Sequence, residues 1–205
     1  MDHINSISFI GSGNVATHLA IAIKKAGYDV KEIYSLNHEN AIELARKVGC
    51  KAIKSIEQID QSVDLFLIAV PDETIEKVIE NFPLVDGIVA HTSGITPMEV
   101  LKREPRFGVF YPLQTFSKQR ELDISAVPFC IEASSEDVLI QLKEIALKLS
   151  KSVFEITGFL KKLPLLPIMF GFGNFCCLME MTALEISEIF GFDIWNFLSS
   201  VAIAP

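Results

Sequence analysis

Short apolar runs alternate with helix-like stretches along the first 156 residues of the chain. These runs and the more mixed stretch at 30–35 predict strands over residues 7–10, 30–35, 65–70, 87–90, 107–110, 128–133 and 153–156. Between them, apolar side chains recur every three or four positions over residues 14–26, 37–48 and 135–149, which is the period of a half-buried helix. Strands that alternate with helices of this length predict an α/β fold with a doubly wound, mainly parallel sheet.

Three further helix starts are predicted from capping residues. Ser55-Ile56-Glu57-Gln58 has the spacing of a capping box. Pro71-Asp72 ends an apolar run and predicts a helix through residue 78, in which Asp72 is better explained as an N-cap than as a catalytic acid. Thr96-Pro97-Met98-Glu99 combines a Thr cap, a Pro at the first helical position and a Glu at the third.

The alternation ends near residue 157, so the sequence predicts a nucleotide-binding domain at residues 1–156 and a partial helical domain at residues 157–205. Residues 163–179 are uncharged, but prolines and glycines interrupt them, and this is a poor pattern for a membrane-spanning helix. Such an apolar segment exceeds what a monomer usually exposes. We therefore expect it to be an interface segment, and the chain to form a homodimer through it.

A glycine-rich turn follows the first predicted strand and opens the first predicted helix. It reads Gly11-Ser12-Gly13-Asn14-Val15-Ala16, a Gly-x-Gly-x-x-Ala motif. In such motifs the first glycine permits the turn, the second lets a pyrophosphate approach the backbone, and the small third residue packs helix on strand. The free N–H groups at the helix start then face the phosphates. A purely structural glycine turn is the alternative, but the strand–turn–helix context favours dinucleotide binding.

The end of the second strand predicts which dinucleotide binds. NAD requires a carboxylate about 20 residues past the glycines for the ribose 2′-hydroxyl. The stretch here has Ser35, Asn37 and His38 instead, and Glu32 falls inside the strand. These neutral donors tolerate a 2′-phosphate, although no arginine follows to bind it. The sequence therefore favours NADP over NAD, with Asn37 also suited to cap the next helix.

Other strand ends supply the remaining candidates, because ligands of a doubly wound sheet bind at the carboxyl ends of its strands. Val70-Pro71 is expected to line the dinucleotide cleft through its backbone. His91-Thr92-Ser93 emerges where a nicotinamide ring would lie, so His91 is a candidate for proton transfer and Ser93 for hydrogen bonding to a carboxamide or substrate. A structural histidine is the alternative. Gln114 and Thr115, after a further strand, are expected to face the cleft, whereas Tyr111 fits a core position equally well.

The amino-acid composition excludes some classes of binding partner. The net charge of −8 and the pI near 5.0 argue against nucleic acid and against an anionic membrane surface, and leave a small-molecule substrate. The N-terminal residues lack a secretory pattern, so a cytoplasmic protein with reduced thiols is expected. The four cysteines have no zinc-binding spacing, so no metal site is predicted.

Two motifs point to a known family. The start at residues 7–16 resembles the NADP oxidoreductases related to pyrroline-5-carboxylate reductase and the coenzyme F420-dependent enzymes. His91-Thr92-Ser93-Gly94 and the stretch at residues 108–116 look like Rossmann-like oxidoreductases whose second half is a domain of unknown function, the DUF2520 group. The resemblance covers about residues 5–156. It implies a Rossmann domain followed by an all-helical dimerisation domain, as in the 6-phosphogluconate dehydrogenase superfamily.

The C-terminal part departs from that family pattern. Two prolines interrupt the stretch where the family has its first long helix, and the family continues for several helices beyond residue 205. Truncation, divergence or a frameshift around residues 158–173 would each explain this. The leading hypothesis is an NADP-dependent oxidoreductase that acts by hydride transfer on an unidentified small substrate. A non-catalytic nucleotide-binding dimer module and, last, an S-adenosylmethionine-dependent methyltransferase are the alternatives.

Overall fold

An eight-stranded sheet with helices on both faces forms the part of the chain that the computed structural model describes, residues 3–117 and 122–156. In chain order, its strands are β1 Ser6–Ile10, β2 Asp29–Tyr34, β3 Lys51–Ile53, β4 Leu65–Ile68, β5 Ile88–His91, β6 Phe107–Pro112, β7 Phe129–Ala133 and β8 Val153–Glu155. The α-helices of this part are α1 Asn14–Lys25, α2 His38–Val48, α3 Ile75–Asn81 and α4 Glu136–Leu149.

The strand order is β3-β2-β1-β4-β5-β6-β7-β8. The chain builds outward from β1 through β2 to β3, and then returns to the other side of β1 to add β4, β5 and β6. All neighbouring strands are parallel except β6 and β7, which are antiparallel. The predicted doubly wound, mainly parallel sheet is therefore confirmed. Its topological switch point lies between β1 and β4, which is where such sheets bind ligands.

Two apolar layers cover the sheet, one on each face. The larger layer joins α1, α2 and α4 to residues such as Phe9 and Leu67, and the smaller joins α3 to residues such as Phe66 and Ile68. Every residue of β4 and β5 is buried, which is why these strands read as continuous apolar runs rather than as alternating ones.

The helix ends follow from the capping residues. The side chain of Asn37 accepts hydrogen bonds from the N–H groups of Glu39 and Asn40 at the start of α2, and Gly49 ends that helix with a left-handed φ of 69°. Ser135 accepts from the N–H of Val138 at the start of α4. These predicted helices begin and end within one or two residues of the expected positions.

The shorter predicted helices differ from expectation. Ile56–Gln58 and Met98–Leu101 are 3₁₀ turns, and Ser55 makes no capping hydrogen bond. Pro97 rather than Thr96 holds the N-cap position of the second turn. Each turn is too short to bury an amphipathic face, and it is that burial which stabilises most helices in proteins.

The stretch after β4 also differs, because it begins with the 3₁₀ turn Asp72–Thr74 before α3 starts. Pro71 holds the N-cap position of this turn, so the interpretation of Asp72 as the cap is wrong. A further difference is β3, which the sequence pattern did not predict, because its three residues, Lys51-Ala52-Ile53, give too little alternation.

The rest of the chain lies outside the described residues. The predicted helix at residues 179–190, the apolar segment at residues 163–179 and the partial helical domain all fall there. Among the described residues, no helix has the length and apolar character needed to cross a membrane.

Gly11 fixes how closely β1 and β4 meet at the switch point. Its φ is +123°, a region that side-chain-bearing residues rarely adopt. A Cβ at this position would lie 2.7 Å from the carbonyl carbon of Ala69, and closer still to its oxygen. Only a residue without a side chain therefore fits between the ends of the two strands.

We predict that Gly11→Ala lowers the free energy of unfolding by about 3 kcal/mol, because it adds both backbone strain and a backbone collision. Gly13→Ala is the matched control, since Gly13 has a φ of −73° and an added Cβ there meets nothing within 4 Å. Urea unfolding of the two variants and the parent measures the difference. Equal stability of the two variants would contradict the role given to Gly11.

Candidate functional site

The glycine turn leaves open space in front of helix α1. The N–H of Gly11 donates to the carbonyl of Tyr34 at 2.8 Å, which ties the turn to the end of β2. Gly13 is the N-cap residue of α1, and a Cβ added there would meet no protein atom within 4 Å. Ala16 is completely buried, in agreement with its expected packing role. The turn is thus closed where it packs on the sheet and open where a ligand would approach.

The start of α1 has the electrostatics of an anion-binding site. The first N–H groups of a helix, here those of Asn14, Val15 and Ala16, have no intrahelical acceptor. No side chain caps this end, and the first turn of α1 contains no acidic residue. Lys24 and Lys25 lie in the last turn, where positive charge complements the helix dipole. A phosphate at this helix start would therefore meet free donors and no competing carboxylate.

Ser12 connects the glycine turn to the end of β2. Its hydroxyl donates to the Ser35 hydroxyl at 2.8 Å, and its side chain is buried. Because Ser35 accepts this bond, its own proton is available to an acceptor outside the pair. Two of the predicted cofactor-binding residues are therefore brought together here.

No carboxylate from β2 is available at the position where NAD-binding sites bond the ribose. Glu32 is buried inside β2, and its side chain accepts a hydrogen bond of 2.6 Å from the N–H of Asp60. Asn37 uses its side-chain oxygen to cap α2, which leaves its amide N–H groups as donors. Leu36 is 88% exposed and presents an apolar surface at this edge of the sheet.

The end of β4 forms the opposite side of the switch point. The N–H of Ala69 donates to the carbonyl of Ile10 at 2.7 Å, which continues the β1–β4 pairing past the strand end. Val70 is half-buried, and Pro71 and Asp72 are exposed. A Cβ on Gly11 would lie 3.3 Å from Cγ1 of Val70, so Val70-Pro71 lies beside the glycine turn.

His91 ends β5 and is completely buried. Its Nδ1 accepts a hydrogen bond of 3.2 Å from the N–H of Ser93, so the neutral ring carries its proton on Nε2. Burial lowers the pKa of His91 to about 4, and the Pro97 backbone and the Asp72 carboxylate oppose this only in part. The imidazole is therefore neutral at physiological pH.

Thr92 and Ser93 are both buried beside His91. The Thr92 N–H donates to the Ile68 carbonyl at 3.0 Å, which holds the end of β5 against β4. The Ser93 hydroxyl accepts from the N–H groups of Ile95 and Thr96 and donates to the Thr96 hydroxyl. These bonds stabilise the turn after β5 and occupy the group that the sequence assigned to substrate binding.

The end of β6 brings a further set of residues to this edge of the sheet. The Tyr111 ring packs so closely on Gly94 that a Cβ there would lie 2.5 Å from it, and burial raises the pKa of Tyr111 to about 12. Gln114 is half-buried and Thr115 is exposed, and the Gln114 side chain accepts from the N–H of Thr115.

Two side-chain hydrogen bonds, which the sequence pattern did not predict, connect this segment to helix α1. The Asn14 side chain donates to the Phe116 carbonyl at 2.8 Å, and His18 Nε2 bonds the Ser117 carbonyl at 2.9 Å. Asn14 was expected to contact the cofactor, but its side chain is used to hold this segment. The partners are about 100 residues apart in the chain, and no local pattern in the sequence indicates such a contact.

Comparison with known proteins agrees with this geometry. Residues 6–91 match the family model described as NADP oxidoreductase, coenzyme F420-dependent. A solved structure from Bacteroides fragilis, described as a "putative NADP oxidoreductase", is 33% identical, with a TM-score of 0.75 over 97% of this chain and 78% of that one. No curated protein matches the chain at a significant level.

Two more distant structures share the fold. A protein from Thermotoga maritima is 24% identical with a TM-score of 0.60, over 73% of this chain and 57% of that one. A pyrroline-5-carboxylate reductase from Coxiella burnetii is 18% identical with a TM-score of 0.60, over 76% of this chain and 60% of that one. The chain therefore spans less than two thirds of either protein.

The switch point in the strand order, the uncapped helix start at the glycine turn and the 33% identical relative lead to one conclusion. The chain belongs to the Rossmann-fold NAD(P)-dependent oxidoreductases.

Proposed function

We propose that the protein binds NADP at the glycine turn and acts as an oxidoreductase on a small substrate at the carboxyl ends of β4, β5 and β6. The observation that carries the proposal is the open space at Gly13 in front of an uncapped helix start. When bound, the nicotinamide would supply or accept the hydride. We also propose that the chain belongs to the DUF2520 group, which is supported by the resemblance at His91-Thr92-Ser93-Gly94 and at residues 108–116.

The pyrophosphate is assigned to the N–H groups of Gly13, Asn14 and Val15. These are the donors that a helix start leaves free, and no carboxylate in the first turn of α1 competes for them. Val70-Pro71 lies beside the same glycine turn. The protein contributes binding and orientation here, because none of these groups can transfer a proton or a hydride.

The preference for NADP over NAD is argued from the end of β2. The nearest carboxylate in the strand, Glu32, is already bonded to the Asp60 backbone and is buried. Ser35 and Asn37 offer hydrogen-bond donors instead, which suit a 2′-phosphate better than a carboxylate would. Leu36 offers the adenine ring an apolar contact.

His91 is assigned a positioning role rather than proton transfer. Its buried, neutral ring holds the Ser93 backbone and so shapes the turn after β5. Thr92 and Ser93 complete the same turn through their own hydrogen bonds.

A non-catalytic nucleotide-binding module remains the second candidate. The observation that favours it is that His91 is neutral and buried, while the Ser93 hydroxyl is occupied by three local bonds. NADPH binding without NADPH consumption on a panel of imines and carbonyl compounds would support this candidate. A homodimer through residues 163–179 is proposed under either function, on the apolar sequence of that segment.

Gly13→Ala tests whether a dinucleotide binds at the turn. The new methyl group would enter the space assigned to the pyrophosphate, so we predict that NADPH binding weakens by about 1–3 kcal/mol. Stability should change by less than about 1 kcal/mol, because φ is −73° and the Cβ meets no protein atom within 4 Å. Fluorescence titration with NADPH measures the effect. Unchanged affinity would mean that the turn is structural.

Ser35→Asp tests which dinucleotide binds. A carboxylate at this position would repel the 2′-phosphate of NADPH and offer the ribose of NADH an acceptor. We therefore predict a shift in relative affinity from NADPH towards NADH of at least about tenfold, measured by parallel titrations. Ser35→Asn, which adds bulk without charge, is the matched control. If both variants lower NADPH affinity equally, the effect is steric and the 2′-phosphate assignment fails.

His91→Asn tests the buried, neutral histidine. The Asn side-chain oxygen can still accept from the Ser93 N–H. Because folding lowers the pKa of His91 from 6.5 to about 4, the unfolded chain binds more protons between these values. Proton uptake therefore favours the unfolded chain, and the free energy of unfolding decreases as the pH falls from about 6.5 to 4.

We predict that the parent loses about 2–3 kcal/mol more unfolding free energy than His91→Asn does between pH 7 and pH 4. Urea unfolding at both pH values measures this difference, and the other titrating groups cancel in the comparison. Parallel losses in the two proteins would show that His91 titrates normally in the folded state.

A further inference from the structure

A short segment after β6 passes from one side of the candidate site to the other. We call residues 113–117 the strap. It begins at the carboxyl end of β6, where the Leu113 N–H donates to the Pro128 carbonyl at 2.8 Å. It ends at helix α1, which starts directly after β1. β4 and β5 lie between β1 and β6 in the sheet, so the strap joins elements that stand on either side of these two strands.

The strap is turned at its start, where the Gln114 N–H donates to the Pro112 carbonyl at 2.9 Å. The position of the strap beyond this turn depends on how its far end is held.

Two side chains of helix α1, one turn apart, bind the far end of the strap. Asn14 donates to the Phe116 carbonyl at 2.8 Å, and His18 Nε2 bonds the Ser117 carbonyl at 2.9 Å. The His18 ring also packs against the Phe116 ring, with 5.4 Å between centroids. Phe116 itself is 8% exposed and belongs to the apolar layer that α1 shares with α4. Two hydrogen bonds, a ring contact and a buried anchor thus fix the strap at one place.

The strap holds the two polar residues at the β6 end of the crevice. Gln114 and Thr115 lie between its two attachments. Asn14 belongs to the first turn of α1, which is assigned to the pyrophosphate. The helix that receives the phosphates is therefore the same helix that holds the strap.

We propose that Asn14 and His18 are positioning residues that hold the strap as a wall of the nicotinamide and substrate end of the site. Cofactor binding at the start of α1 and ordering of the strap are coupled through these two contacts. The coupling rests on the proposed dinucleotide binding. The attachment of the strap does not depend on it.

His18 gives the sharper test, because it lies a full turn beyond the helix start and away from the phosphates. We expect His18→Ala to speed amide hydrogen exchange at residues 113–117 about 3–10-fold, the effect of losing one hydrogen bond. The same variant should weaken NADPH binding by a similar factor. Binding of adenosine 2′,5′-bisphosphate should stay within twofold of the parent, since this probe lacks the nicotinamide half.

Two control variants separate positioning from general damage to the helix. His18→Gln keeps a side-chain N–H donor for the Ser117 carbonyl and should restore exchange and NADPH affinity to near the parent values. Lys25→Ala changes an exposed residue of the same helix and should alter neither. All measurements use the full chain.

The outcomes distinguish the inference from the function on which it rests. Unchanged exchange at residues 113–117 in His18→Ala would overturn the attachment. Equal weakening of NADPH and adenosine 2′,5′-bisphosphate would overturn the coupling, because the damage would then lie at the phosphate end. A parent that binds neither nucleotide would overturn the proposed function and the coupling with it, whereas faster exchange in His18→Ala would still establish the attachment.

Discussion

The contact between Gly11 and the end of β4 is the constraint on which the rest of the site depends. The two strands at the switch point approach so closely that no side chain fits between Gly11 and Ala69. The turn leads directly into α1, which packs on the sheet and whose start has no side-chain cap. A bulkier turn would separate the strands, and the helix start would no longer face the crevice. The proposed anion site thus depends on backbone N–H groups rather than on any charged side chain.

The polar residues around the crevice divide into two groups. The hydroxyl of Ser35 and the amide of Asn37 retain free donors at the β2 end, where the adenosine half of a dinucleotide would lie. At the β5 end, His91, Thr92 and Ser93 use their hydrogen-bonding groups mainly to hold the backbone. The site is therefore better equipped to bind and orient a nucleotide than to move a proton with these three side chains. This imbalance favours a non-catalytic nucleotide-binding module as the alternative to the proposed oxidoreductase.

Local pattern and capping chemistry were sufficient to predict most of the fold. The turn at Gly11, the cap at Asn37 and the cap at Ser135 are short-range features, and each was read from a few neighbouring residues. The orientation of β7 and the existence of β3 depend on contacts between distant segments, so no local pattern predicts them. The same limit applies to the site. The sequence indicated which residues reach the carboxyl edge, but not that the Asn14 side chain would bond to Phe116 or that His91 would be buried.

The most direct measurement of the central claim is isothermal titration of the full chain with NADPH, NADH and S-adenosylmethionine. The account predicts saturable binding of NADPH at one site per chain, weaker binding of NADH and no binding of S-adenosylmethionine. Tightest binding of S-adenosylmethionine, or no binding of either dinucleotide, would contradict the assignment of the glycine turn to a nicotinamide cofactor.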